Sequence, residues 1–165
     1  MARALLGVAC VLAASVSHPI AEAADLDVIP PVDGPVIAHF EPPPSPYEAG
    51  HRGIDFGAPE GSTVVASADG VVSFAGQVGG SLFVSVAHGE LRTTYSFLSA
   101  ILVERDQVVV QGEPIALSGF GHPDDVAAED HLHFGLRRGD EYLDPEPFLV
   151  AGMRRNVWRV VWLAS

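Results

Sequence analysis

The chain has almost no cysteine and no concentrated positive charge. Cys10 is the only cysteine among 165 residues, and it lies within an apolar leader. A disulfide framework and a thiolate metal site are therefore excluded from the chain that follows this leader. The net charge is −12 and there is no run of Lys or Arg, which argues against nucleic acid as a partner. Any metal site must depend on nitrogen and oxygen ligands.

The first 24 residues have the pattern of a secretory signal peptide. Arg3 provides a positive start, an apolar run follows from Ala4 to Val16, and Ala21-Glu22-Ala23 offers small residues for cleavage. Because a membrane-spanning helix needs about twenty apolar residues, we expect no stable membrane anchor. We expect a secreted protein that acts outside the cytoplasm, with residues 1–24 removed.

Composition divides the remaining chain into three parts. Residues 25–49 are rich in proline, with Pro30-Pro31 and Pro42-Pro43-Pro44 around a short apolar stretch, which predicts an extended linker with room for one edge strand. Residues 50–150 are predicted to form the globular domain. Residues 151–165 are a C-terminal extension, in which Asn156 to Leu163 could form a closing strand.

Short β-type runs alternate with turn signals through the predicted domain. No helical apolar period is sustained over ten residues, so the fold class is all-β, an antiparallel sandwich or barrel-like core. Gly139-Asp140 predicts a tight hairpin between the last two strands. The predicted strands are Thr63–Ala66, Val71–Ala75, Leu82–Ala87, Leu91–Leu98, Ile101–Val103, Gln107–Val110, Pro114–Leu117, His131–Arg138 and Glu141–Leu143.

Two short patterns offer metal ligands. His51, Gly53 and Asp55 would share one face of a strand, as would His131 and His133. The glycines around the first pattern disfavour a helix there, so it is predicted to lie on a strand or on a loop that enters one. Each pattern alone also fits ordinary surface and core residues, so the inference depends on their joint occurrence. Histidine and aspartate ligands that leave a position for water favour zinc-dependent hydrolysis.

Together these residues resemble the lysostaphin and LytM-type zinc metalloendopeptidases, which cut peptide cross-links in bacterial peptidoglycan. The segments Gly50–Asp55 and Leu136-Arg137-Arg138-Gly139 look like those of the short secreted members of this family from actinobacteria. The resemblance is carried by Gly50–Phe56, Ala68–Val72, His131–Phe134 and Leu143–Pro145.

This resemblance implies the duplicated-hybrid-motif fold, an antiparallel β core with a groove. It implies one zinc ion bound by His51, Asp55 and His133, and it makes His131 the general base that accepts or orients the water proton. The implied substrates are peptidoglycan stem peptides or cross-bridges. Asp144-Pro145 is expected to be structural.

One position departs from the family pattern. Where the family has Tyr-x-His-Leu, this chain has Tyr95-Ser96-Phe97-Leu98, and Phe97 cannot donate or accept a proton. Losing such a group typically lowers the rate by about a hundred- to a thousand-fold, so we expect a zinc endopeptidase of reduced activity. The alternative is a catalytically degenerate member that binds peptidoglycan or regulates another cell-wall hydrolase.

Other histidines have open roles. Tyr95, His88 and His122 are candidates for a substitute proton donor. His39 is expected to be solvated, with a fourth-ligand role in an inactive precursor as the alternative. A secreted β-domain whose histidines are incidental is the remaining reading, which metal analysis would separate from the others.

Overall fold

The computed structural model describes residues 26, 28–45, 48–121 and 130–149, and these contain ten β-strands. No helix among them is long and apolar enough to cross a membrane. The predicted closing strand and His122 lie outside the described residues. The strands are β1 (Val36–Ala38), β2 (Ile54–Gly57), β3 (Thr63–Val65), β4 (Gly70–Val78), β5 (Ser81–His88), β6 (Leu91–Ile101), β7 (Val108–Val109), β8 (Pro114–Ser118), β9 (His131–Arg138) and β10 (Glu141–Leu143).

All strand pairs are antiparallel, and the main path of the sheet is β1-β2-β9-β6-β5-β4-β7. Strand β10 pairs with β9, while β8 pairs with β3 and β6. The path is open, with β1 at one end and β7 at the other, so these strands do not form a closed barrel. The predicted all-β antiparallel class is confirmed, and the predicted hairpin joins β9 to β10.

Strand β6 connects two parts of the sheet. Its residues from Leu91 to Ser96 lie between β5 and β9, Leu98 pairs with both β5 and β8, and the last residues pair with β8 alone. The residues predicted as a separate strand, Ile101–Val103, overlap the end of β6, because β6 continues through an irregularity between Leu98 and Ala100. Phe97 lies between Ser96 and Leu98, where the register with β5 also shifts, and has a φ of 61°, a left-handed backbone that is uncommon for a bulky residue.

Alternation along the strands builds the core. On β9, Leu132, Phe134 and Leu136 are fully buried, and on β2 Ile54 and Phe56 are buried beside them. Each such side chain contributes about 1.5–3 kcal/mol by leaving water. The residues between them in sequence must therefore face the other side of the sheet.

The described part of the segment predicted as a linker packs on the domain. Val28 and Val32 are buried in the core, and β1 pairs with β2 at the sheet edge. Pro31 lacks an amide hydrogen, but its carbonyl accepts a hydrogen bond from Val65 N–H at 2.8 Å. Proline therefore does not prevent this segment from joining the sheet edge.

A buried polar cluster lies at the end of β5. His88 Nδ1–H donates to the Asp69 carbonyl at 2.7 Å, and Nε2 lies 2.9 Å from the Thr93 hydroxyl. The Thr93 and Tyr95 hydroxyls are 3.1 Å apart, and Tyr95 accepts from Ser67 N–H at 2.8 Å. Burial lowers the pKa of His88 below its ordinary value, which favours the neutral ring in the folded protein.

We expect His88 to make the fold sensitive to acid. Its pKa is lowered in the folded state from the ordinary 6.5, so its stabilising contribution is present above that pH and is lost as the pH falls towards the folded value. Urea unfolding between pH 7.5 and 5, in EDTA, should show a smaller loss of unfolding free energy for His88→Gln than for the wild type. Parallel curves would contradict this assignment, since the other histidines are common to both proteins.

Candidate metal centre

The register between β2 and β9 places the candidate ligands side by side. Asp55 pairs with His133, and Gly57 pairs with His131. Because opposite residues on one face of an antiparallel pair are direct neighbours, the Asp55 carboxylate and both imidazoles project from the face opposite the core. His131 and His133 lie two positions apart on β9 and so share one face of the strand, as the sequence predicts.

His51 reaches the same point from the loop before β2. It lies outside that strand and pairs with Glu41 through two backbone hydrogen bonds of 2.8 and 3.0 Å. Its Nε2 is 3.0 Å from Asp55 Oδ1 and 3.1 Å from His133 Nδ1, while His133 Nδ1 is 2.8 Å from Asp55 Oδ1. One atom from each residue thus points into a single small space. Among the described residues, these three side chains form a group that could hold a metal ion.

The donor set fits zinc. Zinc is a borderline ion that binds both imidazole nitrogens and the harder carboxylate oxygen, and the site offers two of the first and one of the second. Ligands of a tetrahedral zinc at about 2.0–2.1 Å stand about 3.3 Å apart, close to the separations of 2.8 to 3.1 Å among these atoms. Little rearrangement would bring all three into one coordination shell.

A backbone carbonyl orients His51. Its Nδ1–H donates to the His39 carbonyl at 2.7 Å, so in the neutral ring the Nε2 lone pair faces Asp55 and His133. Fixing the outer nitrogen in this way sets the tautomer of a metal-ligating histidine. The His39 ring itself is 72% exposed and pairs with Glu146 at 2.6 Å. His39 therefore supports the site through its backbone, and its ring points to Glu146.

Charges at the site favour an ionised carboxylate. Burial alone would raise the pKa of Asp55, but its hydrogen bonds with His133 and His51 outweigh that effect and hold the pKa below its usual range. The hydrogen bond with Asp55 raises the pKa of His51 despite partial burial. A metal ion binding here must displace protons from imidazole, so its affinity is expected to fall at acidic pH.

His131 and Phe97 form one wall of the site. His131 is 5% exposed, and its Nε2 lies 4.0 Å from Asp55 Oδ2. The Phe97 ring centre is 6.3 Å from that of His131 and 6.1 Å from that of His133. Phe97 therefore stands beside both histidines at the position where the family pattern has its second histidine. The proposed substitutes His88 and Tyr95 do not reach this wall, since both are buried in the separate polar cluster.

An open groove of about 1290 Å³ contains the site. Its floor follows the exposed faces of β9, β6 and β5, where the Ser85 and Thr94 hydroxyls are 3.1 Å apart. Phe83 and Phe97 pack at 6.1 Å on one side. The patterns in the sequence did not identify these lining residues, because their common face depends on the strand register.

Gly53 is a position where a side chain would disturb the ligands. A Cβ there would meet the Phe134 carbonyl oxygen and would lie 2.8 Å from His133 Nε2. We expect Gly53→Ala to lower zinc affinity about ten- to a hundred-fold by misorienting His133. The measurement is zinc competition against a chelator, with unfolding curves of both proteins.

Gly135→Ala is the matched control on the neighbouring strand. Its Cβ would meet only Arg52 O at 3.5 Å and Thr94 Cβ at 4.0 Å, which are ordinary contacts. Equal zinc affinity in the two alanine variants would show that Gly53 does not control the ligand geometry.

Known proteins share this arrangement of strands. Lysostaphin from Staphylococcus simulans, described as an antimicrobial peptidase, superposes with a TM-score of 0.66 at 25% identity, covering 80% of this chain and 56% of that one. A zinc-containing peptidase from Vibrio cholerae superposes with a TM-score of 0.61 at 27% identity, covering 73% and 39%. These structures confirm the lysostaphin-like fold.

The sequence comparisons agree with the structural ones. The murein hydrolase activator NlpD of Salmonella dublin is 30% identical over 122 residues, which cover 72% of this chain and 30% of that protein. The chain spans between 20% and 45% of the length of this and comparable curated relatives. The model for peptidase family M23 matches residues 49–145, and the motifs that carried the resemblance lie within this stretch. This chain belongs to peptidase family M23.

Proposed function

We propose that this protein is a secreted zinc-dependent endopeptidase that hydrolyses peptide cross-links of bacterial peptidoglycan. The observation that carries the proposal is the convergence of His51 Nε2, Asp55 Oδ1 and His133 Nδ1 within 3.1 Å of one another. Membership of a metallopeptidase family supports it. The leader pattern of residues 1–24 supports export to the compartment where this substrate lies.

Each residue has a distinct role in the proposed reaction. His51, Asp55 and His133 would hold one zinc ion, which when bound would polarise the scissile carbonyl and lower the pKa of a bound water towards 7. His131 lies beside this set, with its Nε2 4.0 Å from the Asp55 carboxylate, and would accept the water proton as general base. The groove leaves room for an extended peptide to approach these atoms.

A second candidate function is supported by Phe97. Its ring stands beside His131 and His133 and cannot exchange protons, and a relative of this chain carries the name of a murein hydrolase activator. In this alternative the chain binds peptidoglycan or regulates another hydrolase. The chain keeps the three candidate metal ligands and His131. This favours the enzyme over the binding or regulatory function, because a binding module has no need for a general base.

We expect His131→Ala to lose peptidase activity while keeping its zinc. General acid–base groups contribute about 10²- to 10⁴-fold, so product release from purified peptidoglycan should fall by at least about a hundred-fold. Mass analysis of the released peptides measures the activity, and zinc content by mass spectrometry is the control. If the zinc-loaded wild type released no more than the variant, the chain would not be an endopeptidase on this substrate.

Phe97→His should raise the rate if the missing proton donor limits this site. Hydrogen-bond donors of this kind are worth about a hundred- to a thousand-fold, and we expect a gain of about ten-fold or more in a site not adapted to the new ring. Histidine also tolerates the left-handed backbone at this position better than phenylalanine. Initial rates of peptide release measure the effect.

Phe97→Leu provides the apolar control, because it changes the ring without adding proton chemistry. It should leave the rate at or below the wild-type value. A rate for Phe97→His no higher than for Phe97→Leu would mean that this position does not limit turnover.

A further inference from the structure

Among the described residues, most of the arginine side chains lie along the groove. All nine basic residues are arginines in a chain of net charge −12. Three of the five described arginines line the groove, and the acid among the lining residues is the metal-site Asp55. The groove arginines are Arg52, Arg92 and Arg137, and the others described are Arg105 and Arg138.

Strand register places two of these arginines directly opposite each other. Arg92 on β6 pairs with Arg137 on β9, and the next groove-facing pair towards the metal site is Thr94 with Gly135. Like charges directly opposite each other are destabilising, so this pair carries a cost that the fold does not require. Gly135 has no side chain, which keeps the groove floor low between Arg137 and His133.

The Arg137 guanidinium is held in place but incompletely paired. It stacks on Tyr142, with Cζ 4.6 Å from the ring centre. Its Nη2 donates to Asp140 at 3.0 Å, but the Asp140 side chain is fully exposed, and such exposed pairs contribute little. Its Nε is buried without a hydrogen-bond partner in the described structure.

The Arg92 side chain lines the groove and makes no ion pair or hydrogen bond with another described side chain. Arg52 stands on the same Tyr142 ring at 5.9 Å. A guanidinium held by an aromatic ring loses less freedom when it binds a planar anion, and arginine pairs with carboxylates through two parallel hydrogen bonds. The cluster therefore suits a carboxylate ligand.

We propose that Arg92 and Arg137 form a subsite that binds a free carboxylate of the peptide substrate. This inference rests on the proposed peptidase function for the identity of the ligand as a peptide. Arg137 is four residues from His133 on one strand, which is about 13 Å. An extended peptide advances by about 3.3 to 3.6 Å per residue, so four of its residues span this distance. Because arginine side chains are long and can reach towards the bond cleaved, the carboxylate lies about two to four residues from that bond.

Three synthetic cross-linked stem peptides with one backbone test the subsite. The first has a free C-terminal carboxylate and no acidic side chain, the second has a side-chain carboxylate and a C-terminal amide, and the third has no carboxylate. We expect the zinc-loaded protein to prefer the first or the second over the third by about ten-fold in kcat/KM, as for a charge-assisted contact in a partly exposed groove. The peptide that is cleaved with the higher kcat/KM identifies whether the carboxylate is terminal or on a side chain.

The preference should fall to about two-fold or less in Arg92→Gln and in Arg137→Gln. Arg138→Gln is the matched control, because Arg138 is the neighbouring exposed arginine outside the groove lining, and it should keep the full preference. Arg92→Gln is the cleaner variant, since it removes no ion pair of the described structure. Melting curves check that each variant is folded.

Calorimetric Kd values for the same peptides, measured on zinc-loaded His131→Ala, separate the subsite from catalysis. Equal cleavage of all three peptides would overturn the subsite and leave the endopeptidase proposal standing. An arginine-dependent Kd preference without cleavage by the wild type would support the subsite and remove the enzyme proposal. A preference that survives in both glutamine variants would overturn the subsite.

Discussion

The pairing register of β2 with β9 is the constraint on which the site depends. Ile54 and Phe56 on β2 face the core beside Leu132 and Phe134 on β9. A shift of one residue would turn these apolar side chains to solvent and bury the Asp55 carboxylate, which is costly without compensating partners. Hydrophobic alternation thus holds the ligands of the other face in position, before any metal is bound.

The third ligand depends on a different part of the chain. His51 lies in a loop, and the backbone of residues 39–41 holds it through the His39 carbonyl and the bridge to Glu41. These residues follow β1, which is paired to the edge of β2. The proline-rich segment is therefore part of the support of the candidate metal site.

Most of the strands could be predicted from the sequence, because buried and exposed side chains alternate along them with a period of two. The turn at Gly139-Asp140 is an example, and on β9 the same period places His131 and His133 on one face. The roles of His51, Asp55, His131 and His133 follow from the resemblance and stay predictions, and His51 lies in a loop where this period does not apply. The support from His39 could not be predicted, since a backbone carbonyl has no residue signature. The burial of Val28 could not be predicted either, because the surrounding proline-rich composition is typical of a linker. The pairing of Arg92 with Arg137 needs the register of two strands distant in sequence.

We propose that one zinc ion binds where β2, β9 and the His51 loop converge. The sharpest test is anomalous diffraction at the zinc edge, from crystals of the protein grown with one equivalent of zinc. We expect a single strong peak within bonding distance of His51 Nε2, Asp55 Oδ1 and His133 Nδ1. A peak elsewhere, or one lacking any of these three atoms as a ligand, would contradict it.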